Sequence, residues 1–298
     1  MLDYFLVETL QVVIQSGTFQ KAANLLRITQ SAVSQRIQLL EQQFGQPLLV
    51  RTSPPALTQA GRELVRHYEQ VALLQDSFLN EMKSKLANKK PVILRLAVNT
   101  ESLVSWFVDA ITPLMKRTRL LVAIHRADQD ETIKLLREGA VLACVSTLAK
   151  PLPGCVSTRL GKMLYRCVAS NDFIEKYFQR GIDACSLQEA PAAIFDEADR
   201  LHDIFLTSRL RTTRLPAIPY TYVPSPEGLV RFAVEGLAYS ILPSFLVDPH
   251  LKSGRLTDLF PQRPYRMRFY WHSVDWLVPT IQQLSDEITK HTKQMLEQ

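Results

Sequence analysis

The 298-residue chain has no run approaching ~20 uninterrupted apolar residues, the length a helix needs to cross a bilayer, so no membrane span is expected. Its first ten residues, MLDYFLVETL, carry an early acid and no basic stretch, which excludes a secretory signal pattern. Cysteine is scarce. Cys144, Cys155, Cys167 and Cys185 form no CxxC and no Cys/His metal spacing, so they read as reduced, part-buried thiols of a cytoplasmic protein with no metal site. Also missing are a GxSxG elbow, a P-loop, an HExxH helix and a GxGxxG after a strand. Without a nucleophile, phosphate cradle, zinc site or dinucleotide fingerprint, no catalytic residue and no cofactor is nominated.

The chain is otherwise of globular composition, 46% hydrophobic with a mean hydropathy of −0.03. A net charge of +6 agrees with an anionic partner without requiring one. The length allows a small module followed by a larger domain of one or two lobes.

Residues 16–40, SGTFQKAANLLRITQSAVSQRIQLL, are the most informative stretch. Val33, Ile37 and Leu40 fall at i, i+4, i+7, one stripe of a helix, and Ala22, Ala23 and Leu26 give the preceding helix a small-residue face for a close crossing. Thr29 stands where an N-cap is needed. The opposite face of the second helix offers Gln30, Ser31, Ser34, Gln35 and Gln38, amide and hydroxyl groups suited to base edges, with Arg36 as a nearby cation. An amphipathic helix with a neutral polar face fits the same spacing. A merely solvated face would more often carry Lys and Glu, which favours a helix-turn-helix that reads DNA. Leu48–Arg51 and Ala56–Thr58 flank Thr52-Ser53-Pro54-Pro55, two short extended runs around a turn, as in a wing. Arg51 at its edge suits phosphate or a narrow minor groove, or is a surface arginine without a partner.

A long helix is expected from Thr58 to Leu86, with Leu64, Val65, Tyr68, Val71, Ala72, Leu74, Phe78, Leu79 and Met82 at helical spacing. Its natural use is pairing with a second copy. Asn88-Lys89-Lys90-Pro91 then marks a hinge. Beyond it, strands at 92–98, 120–124 and 141–145 alternate with helices at 103–115 and 131–139, a βαβαβ pattern that implies a parallel sheet. A second unit has strands at 164–169, 192–195 and 239–242 and a helix at 226–235. A late strand at 268–271 and a terminal helix at 278–296 follow, the helix returning to the first lobe. Two such lobes bind small molecules in the cleft at the carboxyl ends of their strands.

Ala22-Ala23, Thr29-Gln30-Ser31-Ala32-Val33-Ser34-Gln35-Arg36-Ile37, Leu40-Glu41, Phe44-Gly45, Leu48, Arg51 and Leu57-Thr58-Gln59-Ala60-Gly61 resemble the N-terminal signature of the LysR-type transcriptional regulators. The resemblance covers essentially the whole chain. Gln46–Thr52 with Pro54-Pro55, Leu96–Asn99 with Glu101-Ser102-Leu103 and Trp106, Leu136–Gly139, Leu160-Gly161, Glu175–Phe178, Phe195-Asp196 and Tyr270–His272 resemble the arginine/lysine-responsive ArgP group within it, also known as inhibitors of chromosome initiation. Two departures from that group are Gly236-Leu237-Ala238-Tyr239-Ser240 in place of a run richer in glycine and tryptophan, and His125-Arg126, which adds positive charge beside Asp128.

The resemblance implies an α/β multi-domain fold. A winged helix-turn-helix spans 1–58, a linker or dimerisation helix and hinge 59–90, and a two-lobed, periplasmic-binding-protein-like effector domain 91–298. Lobe 1 takes about 91–163 and 270–298, lobe 2 about 164–269. It implies a cytoplasmic DNA-binding regulator, a homodimer or homotetramer, with promoter DNA, a basic amino acid and RNA polymerase as partners and an amino-acid export gene as target. Lys21, Arg27, Arg36 and Arg51 are then the phosphate contacts, and Thr29, Gln30, Ser31, Ser34, Gln35, Gln38 and Thr52 complete the DNA set. For the effector, loop acids after strands suit ammonium or guanidinium groups: Glu101, Asp128, Asp130 and Asp196. Ser102, Ser146 and Thr147 suit the carboxylate. Asn99, Trp106, Phe195, Ser225 and Trp271 complete that set. Each acid also fits as a solvated loop residue or, for Asp130, an N-cap. Other readings are a LysR-type regulator of a different metabolite, an enzyme built on scattered His and Asp, a stand-alone solute-binding protein, and a low-specificity nucleoid or replication-origin binder. The solute-binding protein has no use for residues 1–86, and the nucleoid binder leaves the α/β region unexplained.

Overall fold

The Asp3 carboxylate accepts the Phe5 N–H and starts helix α1 (Tyr4–Ser16), which Gly17 ends in the left-handed region at φ 75°. In the computed structural model, which describes residues 2–82, 92–118, 120–127, 129–275 and 279–297, the same economy repeats. Thr18 caps α2 (Phe19–Leu26) and Thr29 caps α3 (Gln30–Phe44), each side chain accepting a first-turn N–H. Val7, Leu10, Val13, Ala22, Ala23, Val33, Ile37 and Leu40 are buried together, so the three helices share one core. The turn between α2 and α3 runs through Arg27 at φ 55°, a left-handed conformation that costs a non-glycine residue roughly 1 kcal/mol.

The wing is fixed from two sides. The Glu41 carboxylate accepts the N–H groups of Leu48 and Leu49 (2.9 and 3.4 Å) at the entry to β1 (Leu49–Val50), which pairs antiparallel with β2 (Ala56–Leu57). Thr58 donates its N–H to the Leu48 carbonyl and its hydroxyl to the Pro47 carbonyl, while its oxygen accepts the Gly61 N–H and caps α4 (Gln59–Met82). Gly61 faces that same carbonyl, and a Cβ there would overlap the Leu48 oxygen. Of the expected α4 stripe, Leu64 and Val65 join the core and Leu74 is 40% exposed. The expected hinge at 88–91 lies outside the described residues.

A second unit begins at Ile93, inside β3 (Val92–Val98). Asn99 precedes α5 (Thr100–Ser102), which runs through a π-helical turn, Leu103–Phe107, into α6 (Val108–Arg117). Then come β4 (Leu120–Arg126), α7 (Gln129–Arg137), β5 (Ala143–Ser146) and the long β6 (Cys155–Ala169). The chain continues through α8 (Asn171–Tyr177), α9 (Ala184–Glu189), β7 (Ala192–Ile194), α10 (Leu201–Leu210), β8 (Tyr220–Tyr222) and α11 (Pro226–Val234). It closes with β9 (Ser240–Pro243), α12 (Ser244–Lys252), β10 (Thr257–Asp258), β11 (Tyr265–Val274) and α13 (Pro279–Met295).

Among the described residues one seven-stranded sheet has the order β10-β6-β11-β5-β3-β4, with β9 also on β6. β3 and β5 are parallel, as the βαβαβ pattern predicts, but β11 is antiparallel to both β5 and β6. The sheet is therefore mixed, where spacing alone predicts a parallel one. The reason is that β6 and β11 each cross from one lobe to the other. The front half of β6 is polar, with Ser157 and Thr158 half-buried and Arg159 exposed, so it gives no apolar run and spacing predicts a strand only from Leu164. In the second lobe β7 pairs parallel with β8 and bridges Tyr239. Trp271 on β11 donates its indole N–H to Ser285 (2.9 Å), and Arg117 pairs with Glu287 (2.7 Å), so α13 is tied to the first lobe.

His202 is buried between Tyr220 and Tyr239, and neither ring nitrogen has a hydrogen-bond partner. Burial pushes its pKa down to about 3. The unfolded chain takes a proton near 6.5 and the folded one does not until about 3, so stability is full above 6.5 and is lost as pH falls through that window. Between pH 7 and pH 5 thermal melts should show a loss of about 2 kcal/mol that His202→Leu abolishes; an unchanged pH dependence in that variant contradicts the assignment. Gly61→Ala should destabilise the first unit by about 1–3 kcal/mol through the displaced Leu48 carbonyl, measured as a lowered urea midpoint.

Candidate DNA-contact surface and effector cavity

The capping threonines leave the first turns of α3 and the corner between α1 and α2 on one surface. Gln30 and Ser34, the Gly17–Gln20 corner, and Arg51, Thr52, Ser53 and Pro55 of the wing line one open groove. The structure thus brings together four of the expected DNA residues, Gln30, Ser34, Arg51 and Thr52. Ser31, Gln35 and Gln38 are exposed on the same helix. Thr29 accepts the Ala32 N–H, and its hydroxyl lies 2.9 Å from that of Ser31. Lys21 and Arg27 are exposed on α2 and at its end. Arg36 is placed differently from a free phosphate contact: it is half-buried and donates to the Thr9 hydroxyl at 3.3 Å, bracing α3 against α1. Between Gly17 and Thr58 four basic side chains stand against one acid, Glu41. That acid accepts the Leu48 and Leu49 N–H groups, and the excess of basic side chains gives the groove a positive field for a polyanion. The glycine corner and Ser53 and Pro55 were not nominated from sequence, because only the folded chain sets the wing and the start of α2 along one groove.

The second unit holds a cavity of ≈ 250 Å³ at the carboxyl ends of its strands. Asn99, Thr100 and Glu101 after β3 and Arg126 and Ala127 at the end of β4 form one wall. Phe195, Asp196, Asp199 and Leu201 after β7, with Pro226 and Leu229 of α11 and Ile241–Pro243 of β9, form the other. Tyr165 of β6 lies where the lobes join. Asn99 is buried and donates its amide N–H to Glu101 at 2.7 Å, while its amide oxygen has no partner. Asp196 accepts the N–H groups of Ala198 and Asp199, and Asp199 accepts those of Phe195 and Leu201. These bonds fold the loop after β7 back on itself and hold two carboxylates at the cavity wall. Across the cleft the Arg126 guanidinium lies over the Phe195 ring, 5.7 Å from its centroid.

Of the residues expected for an effector, Asn99, Glu101, Phe195 and Asp196 therefore meet in one place. Ser102 and Ser146 are buried and do not line the cavity; Ser146 instead accepts the Leu148 N–H. Thr147 does not line it either, and Trp106 and Trp271 are core residues that sandwich Phe107 (5.7 and 6.3 Å). Ser225 caps α11 and donates to Glu227 at 3.0 Å, one residue outside the lining. Asp128 and the side chain of Asp130 lie outside the described residues. Arg126 and Asp199 are the charged lining residues that sequence reasoning did not nominate. The signal for Arg126 was present, a cation at the carboxyl end of a strand. Asp199 gave none, because its place depends on the loop's own hydrogen bonds.

Residues 6–62 match the profile of the bacterial regulatory helix-turn-helix proteins of the lysR family, and residues 93–293 match the LysR substrate binding domain. The HTH-type transcriptional regulator ArgP of Photobacterium profundum is 37% identical over 297 residues, covering 100% of this chain and 99% of that protein. ArgP of Proteus mirabilis is 36% identical over 296 residues, covering 99% and 98%. The crystal structure of ArgP from Mycobacterium tuberculosis superimposes with a TM-score of 0.85 at 33% identity, covering 100% and 99%. Full-length LysG from Corynebacterium glutamicum with bound effector Arg gives 0.74 at 27% identity over all of both chains. CbnR complexed with its target DNA, at 14% identity and a TM-score of 0.58, shares the fold. Among the described residues no helix is long and apolar enough to cross a membrane. A winged helix-turn-helix with a positive groove, a two-lobed α/β unit with a charged cavity, and matches along the whole length place this chain in the LysR family of bacterial transcriptional regulators.

Proposed function

We propose that this regulator binds its promoter in response to a basic amino acid, arginine or lysine, held between the lobes, and that it controls an amino-acid export gene. The charge of the cavity carries this reading. Glu101 on one wall and Asp196 and Asp199 on the other line the cavity with a single guanidinium, Arg126, which lies over the ring of Phe195. A basic amino acid has two cations and one carboxylate, which complements three acids and one base. The arginine held by LysG, which matches this chain over its full length, supports the same ligand class.

The domain division follows that reading: 1–58 binds DNA, 59–90 links and pairs two copies, and 91–298 senses the effector. Leu74, exposed on α4, is covered when a second copy packs there. A dimer or tetramer presents paired heads, which require half-sites about one helical turn apart or a multiple of that. The protein works in the cytoplasm, where its DNA is, with RNA polymerase as a further contact and no membrane partner. Its relatives are transcriptional regulators, and no catalytic step is assigned to it.

Calorimetric titration of the full-length protein with L-arginine and L-lysine should show saturable binding of at least one, weakened about tenfold or more by Asp196→Asn. Flat traces for both sink the effector assignment and leave the DNA-binding regulator standing. On promoter DNA, Arg51→Ala should reduce the slope of log K against log salt by about 1, whereas Gln35→Ala should leave the slope and relax sequence preference by roughly 1–3 kcal/mol. Equal slopes for wild type and Arg51→Ala remove Arg51 from the interface.

A further inference from the structure

Resting on the basic-amino-acid reading above, we infer that Arg126 determines specificity by taking the ligand's α-carboxylate, so that the site selects the amino acid over its decarboxylated amine. Three observations converge on this residue. Arg126 is the one cationic side chain among the described residues lining the cavity, against the carboxylates of Glu101, Asp196 and Asp199. Among the charged lining groups, a ligand carboxylate is repelled by those three and attracted by the guanidinium.

The second observation concerns hydrogen-bond donors. Four of the backbone N–H groups that the loop after β7 would offer to a carboxylate are already taken. Ala198 and Asp199 donate to Asp196, and Phe195 and Leu201 donate to Asp199. The hydroxyls that sequence reasoning assigned to the carboxylate, Ser102, Ser146 and Thr147, do not line the cavity. Arg126, by contrast, forms no hydrogen bond or ion pair through its guanidinium among the described residues.

The third is its placement. The Phe195 ring holds the guanidinium by its charge, with Cζ 5.7 Å from the centroid, and a guanidinium so held keeps a planar fork of N–H donors that fits a carboxylate bidentately. Arg126 belongs to β4 in the first lobe and Phe195 follows β7 in the second, so a carboxylate bound here engages both walls of the cleft. The cationic end of the ligand is left to the three acids. The competing donors are the first-turn N–H groups that follow Asn99, and the ligand series below separates them from Arg126.

The test is calorimetric titration of the full-length protein with L-arginine against agmatine and L-lysine against cadaverine, in wild type, Arg126→Met and Arg126→Lys. Arg126 is exposed, so ligand-free melting temperatures should be unchanged. Wild type should prefer each amino acid to its amine by tenfold or more. Arg126→Met should lose about 10- to 100-fold in affinity for the amino acids and none for the amines, with Arg126→Lys between the two. A preference that survives in Arg126→Met overturns the inference, hands the carboxylate to the N–H groups after Asn99, and leaves the proposed function intact. An equal loss for amino acid and amine overturns it too. Wild type that binds neither amino acid overturns this inference and the effector assignment together.

Discussion

The antiparallel pairing of β6 with β11 is the interaction on which the effector unit depends. Residues 155–165 of one strand run against 265–274 of the other, and both strands pass from lobe to lobe. The first-lobe end of β11 sits beside β5, and the far end of β6 carries β9 and β10 of the second lobe. The register shifts between Phe269 and Tyr270, opposite the step from Gly161 to Arg159, and Gly161 takes φ 136°, a conformation that favours glycine. A bulge of this kind bends and twists a ribbon, and here it lies between the part that pairs with β5 and the part that carries the second lobe. The cavity exists because that ribbon sets two groups of strand ends facing each other.

The DNA-binding unit rests on smaller devices. Thr18, Thr29 and Thr58 each spend a hydroxyl on a helix start, which satisfies donors that would otherwise be left open and fixes where each helix begins. Glu41 has a similar role at the wing, holding two N–H groups with its carboxylate. Arg36 is a cation used between helices rather than at the groove.

Much of this was legible from spacing. The core faces of α2 and α3, the cap at Thr29, the wing and the long α4 all follow from local rules of periodicity and capping. So do β3, β5 and the helices between them, because βαβ units write their period into nearby residues. The extent of β6 was not legible, since half of it is polar, nor was the antiparallel course of β11, which depends on a partner about a hundred residues away. For the cavity, Glu101 and Asp196 were visible as acids at strand ends. Trp106 and Trp271 were suggested by the family resemblance alone, and their rings are buried in the core around Phe107.

The sequence by itself determined the family, the helix-turn-helix and its polar face, and the alternation of strands and helices, because these depend on interactions within a few turns of chain. Tertiary structure alone decided which charged residues share the cleft. Arg126 and Phe195 lie 69 positions apart in the chain, and their 5.7 Å approach is created only when the crossing strands bring two lobes face to face. Side-chain chemistry is written locally. The selection of which side chains meet is set by long-range pairing, whose register no local pattern specifies.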